Sequence, residues 1–242
     1  MYLPGRPIAG AEAEALTQFC ATYSPFPGAR AIVLAEAPPE IFTGWLLGVY
    51  GKVSSPSALV FVGDRRLPDA AARTGYTAEG AALEATALGF STCWIGGGVR
   101  RREVMWMLGL EEHEHVYSIS ALGYSHEDKT LGERATAGMA RAGSRRSLEA
   151  IAPGSEFWPE WVKSGLELVR VAPSATNRQP WRFALEGRSV RLFFEGRDTP
   201  VISKRLDCGI AMLHFELGAR SAGVEGRWEL LEGNDVARWT ST

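Results

Sequence analysis

Ser174, Asn177 and Gln179 fall within six residues of one another in APSATNRQPWRF, residues 172–183. Pro173 marks a break after the helix expected to end near Val171. Serine and asparagine hold turn conformations and offer hydrogen bonds from short side chains. The Gln179 amide both donates and accepts. Pro180 stiffens the entry to a strand that carries Trp181 and Phe183. Such a set fits the edge of a heterocycle with alternating donors and acceptors. The same residues also describe a capped helix, a loop and a buried tryptophan.

Other stretches carry less chemistry. Gly96-Gly97-Gly98 stands between a strand and a helix. Its amides could approach an anion or a flat ring, because no Cβ stands in the way. It is neither G-x-G-x-x-G nor a P-loop, so a plain turn is the competing reading. In GSRRS, residues 143–147, Arg145 and Arg146 beside Ser147 suit a phosphate, or simply end a solvated linker. His113 and His115 have no third ligand and no HExxH spacing, which reads as an exposed loop. His214 lies in an apolar helical stretch and reads as a hydrogen-bonded packing histidine. No local context for a Ser-His-Asp or Cys-His pair is found.

The elements that must hold these residues come from a chain of 242 residues, long enough for a sizeable core. A net charge of −2 creates no field that would gather nucleic acid or an anionic membrane. Cys20, Cys93 and Cys208 are far apart and odd in number, which reads as reduced thiols in a cytosol. No targeting segment or 18-residue apolar run is visible, so a soluble, cytoplasmic protein is expected. Pattern predicts helices over 10–22, 40–51, 77–90 and 100–110, and strands over 29–38, 57–64, 91–98 and 115–124. Residues 125–147 turn polar and small and read as a linker. Beyond it come a helix within 156–173, a hairpin of QPWRFALEG and SVRLFFEG, a helix over 207–223 and a last strand from RWELLEGND. Residues 75–90 lie on 209–224 at a constant offset of 134. Gly75 meets Gly209, Leu83 meets Leu217, Ala85 meets Ala219 and Gly89 meets Gly223. Chance agreement between two helices can also produce such a match.

APSATNRQPWRF resembles the A-P-S-x-x-N-x-Q-P-W motif of the nitroreductase family of flavin enzymes. GYTAEGAALEATALGFSTCWIGG is similar to that family's helix and the strand ending in Ile-Gly or Glu-Gly, and the ALGY strand followed by a basic segment also fits. Here the helix and strand precede the serine-asparagine motif, the reverse of the family's order. The chain therefore resembles the Thermotoga-type subfamily in which two nitroreductase-like halves are fused. The resemblance implies an α+β fold of two tandem half-units, residues 1–142 and 143–242. Each would carry a mostly antiparallel sheet packed by helices, in one intimately packed globule that mimics the family's dimer. A monomer acting as a pseudo-dimer would suffice.

In that family flavin mononucleotide (FMN) lies between subunits. Carried over, the site would combine Trp94, Ile95, Gly96 and Gly97 of the first half with Ser174, Ala175 and Asn177 of the second. Arg145 and Arg146 resemble basic residues at the end of a family unit and would take the phosphate. SPFPGARAIV, residues 24–33, stands where a second motif would be and lacks its asparagine and glutamine, so one flavin per chain is expected. The family's opening Arg-Arg-Ser-x-Arg has no counterpart in MYLPGRPIAG beyond Arg6, which predicts either a truncated start or weak or absent flavin binding. The implied activity is hydride transfer from NAD(P)H to FMN and then to an electron-poor small-molecule acceptor, a nitroaromatic or quinone. No side-chain acid or base is required. The alternative is a catalytically degenerate relative that binds a planar small molecule or a protein partner without turnover. No metal, nucleic acid or membrane partner is expected.

Overall fold

Two long helices meet at the centre of the molecule, backbone to backbone at a glycine of each. The computed structural model describes residues 2–3, 5–42, 55–97, 99–125 and 143–242. The first half contains α1 Ala11–Thr22, β1 Ala29–Leu34, β2 Ser57–Asp64, α2 Ala70–Ala87, β3 Ser91–Ile95, α3 Arg101–Met107 and β4 Glu114–Gly123. The second contains α4 Leu148–Ile151, α5 Glu160–Val171, β5 Trp181–Glu186, β6 Ser189–Phe194, α6 Lys204–Ser221, β7 Gly226–Leu230 and β8 Asp235–Ser241. The strands form two antiparallel four-stranded sheets, ordered β1-β2-β4-β3 and β5-β6-β8-β7. The fold is thus α+β, with two half-units that each carry an antiparallel sheet packed by helices, as expected.

The two halves correspond around their long central helices. Helices α2 and α6 have 18 residues each and begin and end 134 residues apart. Both stop at a left-handed glycine, Gly89 at φ 87° and Gly223 at φ 77°. In each, the next amide reaches back to the helix, Phe90 to Ala85 and Val224 to Ala219. This is the bond pattern of a Schellman cap, and glycine is the residue that adopts its φ without strain. The second strand of each sheet also carries an irregularity, at Phe61/Val62 and at Leu192/Phe193.

Close approach of α2 and α6 depends on Gly75 and Gly209. A Cβ at Gly75 would stand 2.1 Å from the carbonyl oxygen of Leu206, and one at Gly209 would stand 2.1 Å from that of Ala72. Around this crossing each sheet buries its own apolar face. Trp181, Phe183, Trp239 and Phe215 pack with Val162, Leu166 and Val169 of α5 in the second half. The α5 spacing of those three positions is the apolar stripe of an amphipathic helix. In the first half, β2 is a central strand buried from Ser57 to Gly63. Leu59 and Phe61 face α1 and α2 through Leu16, Ala78 and Ala81, while Val60 and Val62 pack with Val104 and Ile119.

Several boundaries differ from those read from pattern. Helix α2 starts at Ala70, seven residues before the expected start. Thr74 and Gly75 weaken local helix propensity there, but Thr74 Oγ1 donates to the Ala70 carbonyl and the packing against α6 holds the turn. Helix α6 starts at Lys204 because Ser203 caps it, its Oγ accepting from the Arg205 amide at 3.1 Å. The tail forms two strands, β7 and β8, joined by a turn with Gly233 at φ 67°. Strand β1 stops at Leu34. Of the helix expected over 40–51, Pro39–Phe42 is a 3-10 turn, and residues 43–51 lie outside the described residues. Of the expected linker, 126–142 also lies outside them. Residues 144–146 are no free linker end, since they are hydrogen-bonded to the second half.

Candidate functional site

The segment 174–179 is held in an unusual backbone conformation. Thr176, Asn177 and Gln179 have φ of 52°, 54° and 46°, and they are the non-glycine residues at positive φ among the described residues. Such conformations cost on the order of 1–3 kcal/mol each and persist where the surroundings over-determine them. Here the surroundings are a dense set of hydrogen bonds. The Gln179 amide donates to Ser174 Oγ at 3.0 Å. The Gln179 side chain is buried, accepts from the Arg146 amide at 2.9 Å and donates to the Ser144 carbonyl at 3.1 Å. Asn177 Nδ2 donates to the same carbonyl at 2.7 Å, and Asn177 Oδ1 accepts from Arg145 Nη1 at 3.3 Å. Arg145 Nη1 also reaches the Ala172 carbonyl at 3.0 Å. The asparagine and glutamine side chains thus dock the segment 144–146 onto the loop. The Arg146 side chain makes no hydrogen bond or ion pair among the described residues.

A second support comes from beneath. Asp207, on the first turn of α6, is 2 % exposed. Its Oδ1 accepts from the Ala175 amide at 3.1 Å and its Oδ2 from Arg178 Nε at 2.6 Å. Burial pushes the Asp207 carboxyl up to about 6, against the opposing pull of Arg178 and the Ala175 amide. Arg178 also donates to Thr199 Oγ1 at 2.7 Å and to the Ile202 carbonyl at 2.8 Å. One guanidinium therefore joins the loop, α6 and the segment 199–202.

Ile202 links this loop to the glycine turn. The β3–β4 ladder ends at Ile95, opposite Ile119, leaving the amides of Gly96 and Gly97 beyond the last strand pair. A Cβ on Gly96 would come within 2.8 Å of Ile202 Cδ1. Arg101 steadies the turn by donating through Nη2 to the Gly96 carbonyl at 2.7 Å and through Nε to Val116 at 3.0 Å. Trp94 is turned inward. Its Nε1 donates to Glu79 Oε2 at 3.1 Å, and Glu79 Oε1 is 2.8 Å from His214 Nε2. The other ring nitrogen of His214 is 3.1 Å from the Leu168 carbonyl, so His214 is the hydrogen-bonded packing histidine expected.

The structure thus gathers Ser174, Ala175, Asn177, Arg145 and Arg146 at one loop. It brings Gly96 to that loop's supports through Ile202. Trp94 and Ile95 face the interior rather than the loop, and Gly98 lies outside the described residues. Pattern alone misses Asp207, Arg101, Ile202 and Glu79. Arg178 lay in plain view inside the motif, but nothing local connects it to residue 207. Two clefts of about 490 Å³ each lie elsewhere, one along β1 and α1 and one between the 23–26 loop and α6. Neither is lined by 94–97 or 174–179. No group of three potential metal ligands occurs among the described residues, and among them no helix is long and apolar enough to cross a membrane.

Comparison with known proteins gives one family match and several structural likenesses. The family model described as "Putative TM nitroreductase" matches residues 8–219. A crystal structure from Thermotoga maritima, described as a "putative nitroreductase", aligns over 99% of this chain and 87% of its own at TM-score 0.64 and 20% identity. A nitroreductase with bound FMN from Bacteroides fragilis aligns over 54% of this chain and 84% of its own at TM-score 0.42 and 20% identity. An FMN-dependent nitroreductase from Clostridium difficile aligns over 53% of this chain and 83% of its own at TM-score 0.42 and 17% identity. The first of these shares the fold. No curated protein matches.

Proposed function

The chain belongs to the family described as "Putative TM nitroreductase", and from that premise we propose that it is an FMN-dependent oxidoreductase of nitroreductase type. The observation that carries this reading is the strained 174–179 loop, braced from two sides and joined through Ile202 to a glycine turn. Strain of this kind is characteristic of ligand clamps. We read the duplicated helix and sheet order as a tandem fusion, with the halves meeting near residue 143.

The residues present fit the cofactor. Past Ile95, Gly96 and Gly97 offer amides outside the ladder, and Gly96 has no side chain to hold a ring away. Those amides would stabilise negative charge on a reduced ring. The backbone of Ser174 and Ala175, and Asn177, would meet the ring's polar edge. Arg145-Arg146-Ser147 opens the second half and matches the first three residues of Arg-Arg-Ser-x-Arg, with Glu149 at the fifth place. Arg146, unpaired among the described residues, is the phosphate contact. Bound FMN would supply hydride acceptance from NAD(P)H and hydride delivery to a nitroaromatic or quinone. The protein's part is to bind, orient and exclude water.

Two variants test the loop and the turn. Asn177→Gly removes the carboxamide without the left-handed strain that alanine would bear. It is expected to weaken FMN retention about tenfold or more, read as flavin absorbance surviving desalting. The nearest atoms to the added carbon of Gly96→Ala are side-chain atoms of Ile202, led by Cδ1 at 2.8 Å, with no backbone among them. This variant should change stability by less than about 1 kcal/mol while lowering flavin retention and NADH-driven bleaching. Wild-type protein that retains no flavin, and gains no thermal stability from added FMN, would replace this reading with the non-catalytic binding protein.

A further inference from the structure

We propose that the cleft between the 23–26 loop and α6–β7 binds a planar aromatic carboxylate. The cleft has about 490 Å³ and is open to small molecules of one or two fused rings. Tyr23 and Phe26 line it from the first half, Tyr76 from α2 and Trp228 from β7. Phe26 meets Tyr76 edge to face at 5.1 Å between centroids and 88° between planes. Rings set at right angles present both a face and an edge to a third ring.

Charge selects the anion. Glu216 lies in the cleft but is fully engaged, accepting from the Tyr76 hydroxyl at 2.7 Å and pairing with Arg220 at 2.8 Å. Arg220 spends its Nε on Glu225 at 3.1 Å. Arg227, also lining the cleft, is exposed and has no ion pair among the described residues. Arg227, unpaired among the described residues and exposed at the rim of the aromatic walls, matches one carboxylate, which a guanidinium can hold through two parallel hydrogen bonds.

The internal repeat makes the assignment specific to this side of the molecule. At the offset of 134, Trp228 answers to Trp94, whereas Arg220 answers to Thr86 and Arg227 to Cys93. The tryptophan is common to both halves, and the two arginines belong to this cleft alone. The inference uses none of the residues assigned to the flavin, so it stands or falls apart from that reading.

Equilibrium dialysis of the full chain against 2-naphthoate, with neutral 2-naphthamide as the paired probe, tests it. One naphthoate should bind per chain, at least about tenfold more tightly than the amide. Arg227→Gln should erase that preference by weakening naphthoate about tenfold, with its melting temperature unchanged because the residue is exposed. Phe26→Leu should weaken both probes, and saturating FMN should weaken neither. If Phe26→Leu does not fold, Arg227→Gln decides alone. Three results overturn the proposal: no naphthoate bound at millimolar concentration, unaltered naphthoate affinity in Arg227→Gln, or displacement of naphthoate by FMN.

Discussion

Alanine at Gly75 or Gly209 is expected to lower the melting temperature by roughly 10 °C or more, or to leave the chain insoluble. The added carbon would stand 2.1 Å from a backbone carbonyl oxygen of the opposite helix in either case. Backbone cannot rotate away as a side chain can, so the helices must separate and lose packing along their length. Overpacking costs about 1–3 kcal/mol and occasionally more, a backbone clash belongs at or above the upper end, and each kcal/mol is worth about 2–4 °C in a chain of this size. Gly143→Ala is the control, because a Cβ there meets nothing within 4 Å. A thermal melt of Gly209→Ala that overlays the wild type would show that α2 and α6 do not meet as described.

Arg178→Ala should destabilise the protein by about 3 kcal/mol at pH 8, with the loss shrinking as pH falls towards 6 and smallest by pH 5. Removing one partner of a buried pair strands the other charge, which costs about 3–5 kcal/mol. Asp207 is 2 % exposed, so its carboxylate has no water to turn to. The direction with pH follows from burial, which already holds the Asp207 carboxyl up at about 6 in the folded protein, above its ordinary value of 3.8. As pH falls from 6 towards 4, the folded state takes up a proton that the unfolded state does not. This group therefore favours folding in acid, and that contribution is lost as pH rises through 6. Without Arg178 the folded value moves higher, so the penalty deepens at neutral and alkaline pH. Adding Asp207→Asn to Arg178→Ala should recover most of the loss, since the amide oxygen still accepts from Ala175. Equal losses at pH 5 and pH 8 would refute the stranded-charge account.

Much of the molecule is legible in its sequence, and what is not has physical reasons. The offset of 134 found between 75–90 and 209–224 is the offset between both ends of α2 and α6. It was visible because the crossing demands glycine at the same place in each helix, and each helix stop demands glycine again. The serine-asparagine-glutamine loop was equally visible, but the use made of its side chains was not. Asn177 and Gln179 point their amides at Ser144 and Arg145–Arg146, some 33 residues upstream, which no local pattern encodes. Asp207 is illegible for the same reason, being an ordinary acidic residue in a first helical turn until the fold sets it under Ala175. The early start of α2 was hidden because Thr74 and Gly75 are poor helix formers, and the contact that overrides them lies in the other half.

The crossing of α2 and α6 also bears on how the chain is made. Helix α2 is buried almost all round, and much of what buries it is α6, synthesised 134 residues later. At ordinary elongation rates that interval is on the order of ten seconds. For that time the nascent chain carries a helix rich in alanine and glycine with no partner, and Gly75 in particular has weak propensity to stay helical alone. The crossing consequently forms only once all of Lys204–Ser221 has left the ribosome, late in the making of the chain.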